Sequence, residues 1–275
     1  GPILDSRTLV VSVSQSGETA DTLAAMEEAA HHGAKQITIC NVEGSQTTRM
    51  AHGAVFISVG PEIGVASTKS LTGSMAALYL LAVYLGKLRG AIDQGRMETL
   101  LNDLATAPRL IGQALEHNGH YERLAQKYGD YFNFLYLGRG INMPVAMEGA
   151  LKLKEVSYIH AEGYPAGEMK HGPIALIDKD MPVVALAPRD ALYDKMRSNI
   201  QEVKARGGKV IALVTQGQHD LAGMADELIE VPPSPYLVSP MVNVVPLQLL
   251  AYHIAVRRGC DVDQPRNLAK TVTVE

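Results

Sequence analysis

The pattern that most constrains this fold is the alternation of short β-branched runs with longer helical periodicities. Strand candidates lie at residues 8–13, 36–40, 54–59, 132–137, 181–187, 209–214 and 227–231. Helix candidates lie at residues 18–31, 67–89, 97–116, 143–158, 193–206 and 246–257. This alternation predicts an α/β fold with a mainly parallel sheet.

Part of the pattern occurs twice. The first copy consists of a strand at 8–13, a helix, Gly33 and a strand at 37–40. The second copy has the same order, with a strand at 181–187, a helix, Gly207 and a strand at 210–214. A further strand and helix, 132–158, precede the second copy, whereas only seven residues precede the first. We therefore expect a fragment with one complete domain and one that lacks its N-terminal strand–helix unit.

Composition narrows the class of protein. With 275 residues the chain has room for two domains, and its 25 Lys and Arg against 29 Asp and Glu give a net charge of −4. This balance argues against a strongly basic nucleic-acid-binding protein and a polybasic membrane anchor, so we expect neither partner. The apolar window at 71–88 contains Thr72, Tyr79 and Tyr84, and is interpreted as a buried core helix instead of a membrane span.

The cysteines and the first ten residues indicate in which cellular compartment the protein is expected. Cys40 and Cys260 cannot form a disulfide framework, and no histidine or cysteine spacing matches a metal site. The opening GPILDSRTLV lacks the features of a signal peptide. We expect a cytoplasmic protein that uses neither a metal nor a cofactor.

A hydroxyl-rich turn, SQSGET at 14–19, lies between a predicted strand and helix. Helix N-termini offer free N–H groups and a positive dipole end, which favour phosphate. The alternative is an ordinary N-cap by Ser16. Three hydroxyls and Gly17 exceed what one cap needs, so we predict phosphate binding here.

A second hydroxyl-rich helix start follows at 67–70 (STKS). Ser67 is a candidate donor to a sugar or phosphate. Helix capping alone is the better explanation when this segment is considered without the first turn.

The predicted helix at 143–158 carries three charges on one face. Glu148, Lys152 and Glu155 are spaced i, i+4 and i+7. A solvated salt-bridge stripe is the usual interpretation of such spacing. Here the flanking positions are apolar, namely Val145, Leu151, Val156 and Ile159. We therefore predict a partly desolvated cluster, with Glu155 as a general acid–base candidate.

Two further candidates lie outside the helices. The segment 162–173 is rich in Gly and Pro and is predicted to be a long loop, in which His171 could transfer a proton. Lys270 lies in a tail after the last helix. It is either an ordinary surface lysine or an amine that reacts with a carbonyl substrate.

The chain resembles the isomerase region of the glutamine–fructose-6-phosphate aminotransferases, the glucosamine-6-phosphate synthases. The resemblance rests on SQSGETADT, EIGVASTKS, LGRGINMPVAMEGALKLKEVSYIHAEGYPAGEMKHGP and DVDQPRNLAKTVTVE. It implies two doubly wound parallel-sheet sugar-isomerase (SIS) domains, the first at 1–118 without its N-terminal strand–helix unit, the second at 119–258. Residues 259–275 would form an active-site tail.

The resemblance also implies an activity, conversion of fructose 6-phosphate and glutamine-derived ammonia to glucosamine 6-phosphate, in a homodimer with shared active sites. Glu155 would move a proton between C1 and C2, His171 of the neighbouring subunit would open the sugar ring, and Lys270 would engage the open-chain ketose. Binding residues would be Ser14, Gln15, Ser16, Thr19, Val65, Ala66, Ser67, Glu148 and Lys152.

One departure concerns what this sequence lacks. The family's glutaminase domain, with its N-terminal cysteine, does not precede residue 1, which is Gly. This chain is therefore not expected to release ammonia from glutamine. A non-catalytic sugar-phosphate-binding module and a related phosphosugar isomerase or deglycase are the alternatives.

Overall fold

The computed structural model describes residues 1–116 and 118–270. These divide into two compact units. Unit 1 comprises Gly1–Asn102 with the tail from Asn267, and unit 2 comprises Asp103–Arg266. The boundary expected between residues 118 and 119 lies within unit 2, and the tail expected as one segment is divided between the units. Residues 271–275 of that tail lie outside the described residues.

Unit 1 contains a parallel sheet of three strands in the order β1-β2-β3. Its strands are β1 (Leu9–Ser14), β2 (Lys35–Cys40) and β3 (Gly53–Phe56). Its helices are α1 (Ala20–His31), α2 (Gln46–Met50) and α3 (Lys69–Leu88), followed by α4 (Gln94–Ala105), which includes the division between the units. The β1–α1–β2 unit corresponds to the first copy of the sequence repeat.

Unit 2 contains a parallel sheet of five strands in the order β5-β4-β6-β7-β8. The strands are β4 (Asn133–Gly138), β5 (His160–Pro165), β6 (Pro182–Ala187), β7 (Lys209–Thr215) and β8 (Glu227–Val231). The helices are α5 (Ala107–Leu115), α6 (Asn118–Tyr128), α7 (Asn142–Ser157), α8 (Tyr193–Lys204) and α9 (Ser239–Arg257). All of β6 is buried, as expected for a strand covered on both faces.

The repeat is visible in the strand order. The run β6-β7-β8 of unit 2 has the order and parallel pairing of β1-β2-β3 in unit 1. In unit 2, β4 pairs with the side of β6 that is opposite β7. Among the described residues of unit 1, no strand pairs with the corresponding side of β1. The predicted α/β fold with parallel sheets is confirmed.

Several sequence-based elements differ from the structure, and three of the differences have a clear description. The helix predicted at 97–116 is divided between α4 and α5, because Pro108 occupies the first turn of α5 and favours a helix start. The segment predicted as a loop at 162–173 contains the end of β5 and a 3₁₀ helix, Ala166–His171. The helix predicted from residue 246 begins at Ser239, with Pro246 inside it.

Among the described residues, two helices, α3 and α9, are long and apolar enough to cross a membrane by length and composition alone. For α9 the apolar window is 72% buried, because it forms part of the core of unit 2. For α3 the corresponding window is only 11% buried, so the prediction of a buried core helix at 71–88 is wrong about burial. A three-stranded sheet offers α3 little apolar surface, and only Ser70, Ala77 and Val83 are buried.

Candidate active site

The turn between β1 and α1 folds its hydroxyls back onto its own backbone. The Ser14 Oγ accepts the Gly17 N–H at 2.9 Å, and the Ser16 Oγ accepts the Glu18 N–H at 3.2 Å. Thr19, not Ser16, occupies the N-cap of α1, and its side chain makes no capping hydrogen bond. The alternative that Ser16 caps the helix is therefore wrong. The first N–H groups of α1 lack a capping side chain and suit an anion.

Neighbouring segments hold this turn in place. The carbonyls of Gln15 and Gly17 accept N–H groups from Asn41 and Thr47 at 3.2 and 3.1 Å. The Glu18 carboxylate accepts the Gln46 N–H at 2.8 Å, at the start of α2. These contacts fix the backbone before any ligand arrives, which reduces the entropy lost on binding.

A cleft of about 680 Å³ opens where the strands of unit 1 end. It is lined by Gln15 of the hydroxyl-rich turn and by Lys270 of the tail, together with Asn41, Val42, Glu43, Phe56, Ser58, Gly60, Pro61 and Glu62. The carboxyl ends of parallel strands are the usual ligand-binding edge of an open α/β sheet. The structure thus brings two of the sequence candidates, 255 positions apart, to one cleft.

Lys270 is held by Glu62, a residue that the sequence analysis missed. The Lys270 Nζ lies 2.6 Å from the Glu62 Oε2 and donates to the Gly64 carbonyl at 2.7 Å. Glu62 also accepts the N–H groups of Thr68 and Ser70, and its side chain is only 4% exposed. The available signal was an acidic residue shortly before a hydroxyl-rich helix start.

The same contacts determine the charge of Glu62. Burial alone would raise its pKa, but hydrogen bonds from Lys270, Ser70 and two backbone N–H groups outweigh burial and lower the pKa from 4.5 to about 2. A carboxyl with a lowered folded-state pKa stabilises the fold above its unfolded pKa and loses that contribution as the pH falls through the folded value. This contribution is therefore complete above pH about 4.5 and is lost toward pH about 2.

Replacing Glu62 by Gln should consequently reduce the acid sensitivity of unit 1. We expect Glu62→Gln to lower the free energy of unfolding at pH 7, and the difference from the parent to shrink between pH about 4.5 and about 2. Urea unfolding at a series of pH values measures this difference. Glu43→Gln is the control, because Glu43 also lines the cleft but makes no ion pair in the described chain. A difference independent of pH would contradict the assigned contacts.

The segment between Glu62 and α3 contains three predicted binding residues, Val65, Ala66 and Ser67. Ala66 is buried, Val65 is half-buried, and the Ser67 Oγ lies 3.3 Å from the Ser70 Oγ. Helix α3 begins at Lys69 with Thr68 at its N-cap, so Ser67 does not cap the helix. A substrate contact by Ser67 stays a prediction.

In unit 2, α7 brings its three charged candidates together. The Lys152 Nζ lies 3.3 Å from the Glu148 Oε1 and 2.6 Å from the Glu155 Oε2. The Lys152 side chain is 5% exposed and that of Glu155 is 21% exposed. The prediction of a partly desolvated cluster is confirmed, and a solvent-exposed salt-bridge stripe is wrong.

Burial affects the charge of Glu148 in this cluster. It raises the pKa of Glu148, the nearby charge of Glu155 acts in the same direction, and Lys152 opposes both. Because Lys152 forms ion pairs with both carboxylates, the three charges of the cluster interact directly. Such an arrangement suits acid–base chemistry.

His171 stands apart from this cluster. It lies exposed at the end of the 3₁₀ helix Ala166–His171, before Gly172 with a φ of +148°. In the described part of the chain, no hydrogen bond or ion pair joins His171 to Glu148, Lys152 or Glu155. Residues 1–116 and 118–270 contain no group of three His, Cys, Asp or Glu side chains that could hold a metal ion.

The start of the tail is fixed within unit 2. The Arg266 N–H donates to the Tyr158 hydroxyl at 2.8 Å, and the Arg266 guanidinium lies 4.2 Å from the Tyr158 ring centroid. Tyr158 follows α7 directly and has a left-handed φ of +61°. Within unit 2, the residue that follows α7 is therefore in direct contact with Arg266.

Comparison with known proteins agrees with this fold. A family model described as the SIS domain matches residues 2–84 and 133–258. A solved structure described as the C-terminal domain of glucosamine-fructose-6-phosphate aminotransferase from Francisella tularensis superimposes with a TM-score of 0.92. It is 41% identical, and the match covers 96% of this chain and 75% of that one.

Curated relatives are similar over the whole chain. Glutamine–fructose-6-phosphate aminotransferases [isomerizing] of Thermus thermophilus and Bacteroides thetaiotaomicron are 55% and 54% identical over 274 residues. The match covers 100% of this chain but only 45% of each relative, so the chain spans less than half of their length. The chain belongs to the SIS domain family and, within it, to the isomerase region of the glutamine–fructose-6-phosphate aminotransferases.

Proposed function

We propose that this chain is the part of an aminotransferase that isomerises fructose 6-phosphate and, with ammonia from a glutaminase region outside the chain, yields glucosamine 6-phosphate. The observation that supports this most directly is the buried Lys152 between Glu148 and Glu155. A binding module needs an anion-binding turn but has no need of a partly buried acid–base cluster.

In the proposed reaction the turn at 14–19 binds the phosphate through its N–H groups and hydroxyls. Glu155 removes a proton from one of the two carbons C1 and C2 and returns it to the other, which exchanges ketose for aldose. The carboxylate is ionised before the step and again after it. The Lys152 ammonium lies 2.6 Å from this carboxylate and holds it in place through their ion pair.

Lys270 is proposed to engage the carbonyl carbon of the open-chain ketose. Schiff-base formation requires the neutral amine and releases one water molecule, with C–N bond formation and loss of the carbonyl oxygen. In this structure Lys270 is paired with Glu62, so the ion pair must open and one proton must leave before attack. Glu62 is therefore the residue that positions Lys270 between turnovers.

We further propose a cytoplasmic homodimer in which His171 of the partner subunit opens the sugar ring. The resemblance in sequence supports this, and so does the absence of a hydrogen bond between His171 and the α7 cluster of its own chain in the described residues. Ring opening needs a proton donor and acceptor near the ring oxygen, and imidazole serves both roles near neutral pH.

The test is NMR of this chain with fructose 6-phosphate in D₂O. We expect deuterium incorporation at C1 and C2 and the appearance of glucose 6-phosphate when no ammonia is supplied. Phosphate-signal shifts without exchange would instead favour a non-catalytic sugar-phosphate-binding module, and would contradict the proposed isomerase chemistry of the chain.

A further inference from the structure

A second cleft, of about 450 Å³, lies in unit 2 where β6, β7 and β8 end. Its walls come from the segment after β6, from the ends of β7 and β8, and from the first turns of α9. They include Pro188, Arg189, Asp190, Ala191, Tyr236 and Asn243. None of these residues is a candidate for the isomerase reaction. The carboxyl ends of parallel strands are the usual ligand-binding edge of an open α/β sheet.

A chain of side-chain hydrogen bonds runs to the cleft and ends in an unpaired acceptor. The Asp190 Oδ2 accepts the Asn142 Nδ2 at 3.2 Å, and the Asn142 Oδ1 accepts the Asn243 Nδ2 at 2.9 Å. Because a carboxylate only accepts, the order of donors and acceptors along the chain is fixed. The Asn243 Oδ1 is therefore an acceptor, and no described residue donates to it.

This unpaired oxygen is unusual because Asn243 is only 1% exposed. Burying an acceptor without a donor is unfavourable, so native proteins rarely retain one without a reason. The three residues of this hydrogen-bonded chain lie on ordered elements. Asn142 begins α7, Asn243 lies in α9, and the Asp190 carboxylate accepts the Leu192 N–H at 2.8 Å. A ligand hydroxyl in the cleft would supply the missing donor.

The cleft's charges argue against a phosphate ligand. By the sequence repeat, the turn after β6 corresponds to the turn after β1, but it carries Arg189 and Asp190 instead of a hydroxyl-rich sequence. Asp190 would repel an anion. The cation of the pair, Arg189, lies 3.7 Å from the Asp220 carboxylate, which offsets its charge. Pro188, Pro232 and Tyr236 add apolar surface that suits the face of a sugar ring.

We propose that this cleft is a second binding site, for an unphosphorylated monosaccharide ring whose hydroxyl donates to the Asn243 Oδ1. Pockets of this kind combine apolar walls with a few fixed polar groups, and the volume accommodates a single hexose. The site differs in ligand class from the turn at 14–19, which offers hydroxyls and helix N–H groups, whereas this cleft offers the Asp190 carboxylate and the Asn243 amide oxygen.

Saturation-transfer NMR with D-glucose as the probe tests the proposal. We expect transfer to the parent chain, and a loss of affinity of about tenfold or more in Asn243→Leu, which removes the acceptor. Ala191→Phe provides a second variant that fills the cleft from an exposed position, so that misfolding of the first variant does not decide the result. Asn102→Leu, at an exposed position in unit 1, is the matched control and should bind glucose as the parent does.

Three results would overturn the proposal. These are absence of transfer to the folded parent chain, equal transfer to the parent and both cleft variants, or displacement of glucose by inorganic phosphate alone. The outcome is independent of the isomerase proposal, since no cleft residue takes part in that reaction.

Discussion

Replacing Glu155 by Gln is expected to lower formation of glucosamine 6-phosphate about 10²- to 10⁴-fold when the chain acts in its full-length protein. The amide has almost the same shape as the carboxylate but cannot take a proton from carbon. Lys152 keeps Glu148 as a partner at 3.3 Å, so the cluster retains one ion pair. The loss should therefore appear in kcat, whereas binding of fructose 6-phosphate should change little.

The measurement combines product formation with hydrogen–deuterium exchange at C1 and C2. Exchange should fall together with turnover, because both need the same proton transfer. Glu122→Gln is the matched control, since Glu122 is exposed on α6 and has no proposed role. Turnover unchanged in Glu155→Gln would remove Glu155 from the reaction, and a change confined to KM would reassign it to substrate binding.

Replacing Gly17 by Ala should destabilise unit 1 and abolish phosphate binding at the turn. Gly17 has a left-handed φ of +70°, and a Cβ there would lie 2.2 Å from the Ser45 Oγ and 2.7 Å from the Thr47 Oγ1. The backbone conformation and the steric overlap each disfavour a side chain. Together they predict a loss of about 2–4 kcal/mol in the free energy of unfolding.

Gly44→Ala separates the two causes. Gly44 has nearly the same φ, +71°, but a Cβ there would meet nothing within 4 Å. This variant should lose only about 1 kcal/mol, the cost of the backbone conformation alone. Urea unfolding measures the stabilities, and phosphorus NMR of fructose 6-phosphate measures binding. Equal losses in the two variants would show that close packing against Ser45 and Thr47 is unimportant.

The strands of the sheet were largely predictable because their signals are local. β-branched runs at 8–13, 209–214 and 227–231 became β1, β7 and β8 with ends shifted by one residue at most. β5 was missed because its sequence, HAEGYP, has little intrinsic strand preference. It is a strand because it pairs in parallel with β4, a contact that no local pattern reveals.

The site was only partly predictable. The i, i+4, i+7 spacing and its apolar flanks were sufficient for the cluster on α7, since helix geometry alone brings such residues together. The partner of Lys270 was not predictable, because Glu62 lies 208 residues earlier and neither residue has a local pattern that selects the other. The same holds for Asn243 and Asn142, which are 101 residues apart.

By itself, the sequence determined the α/β class, the internal repeat, the hydroxyl-rich turn and the charged face of one helix, because each depends on residues within a few turns of one another. Only the tertiary structure decided which side chains are buried and which distant groups pair: α3 is exposed although it is apolar, and Glu62 is buried although it is charged. The physical reason is that burial and pairing depend on which surfaces the fold brings together, and a side chain's own polarity does not specify its neighbours.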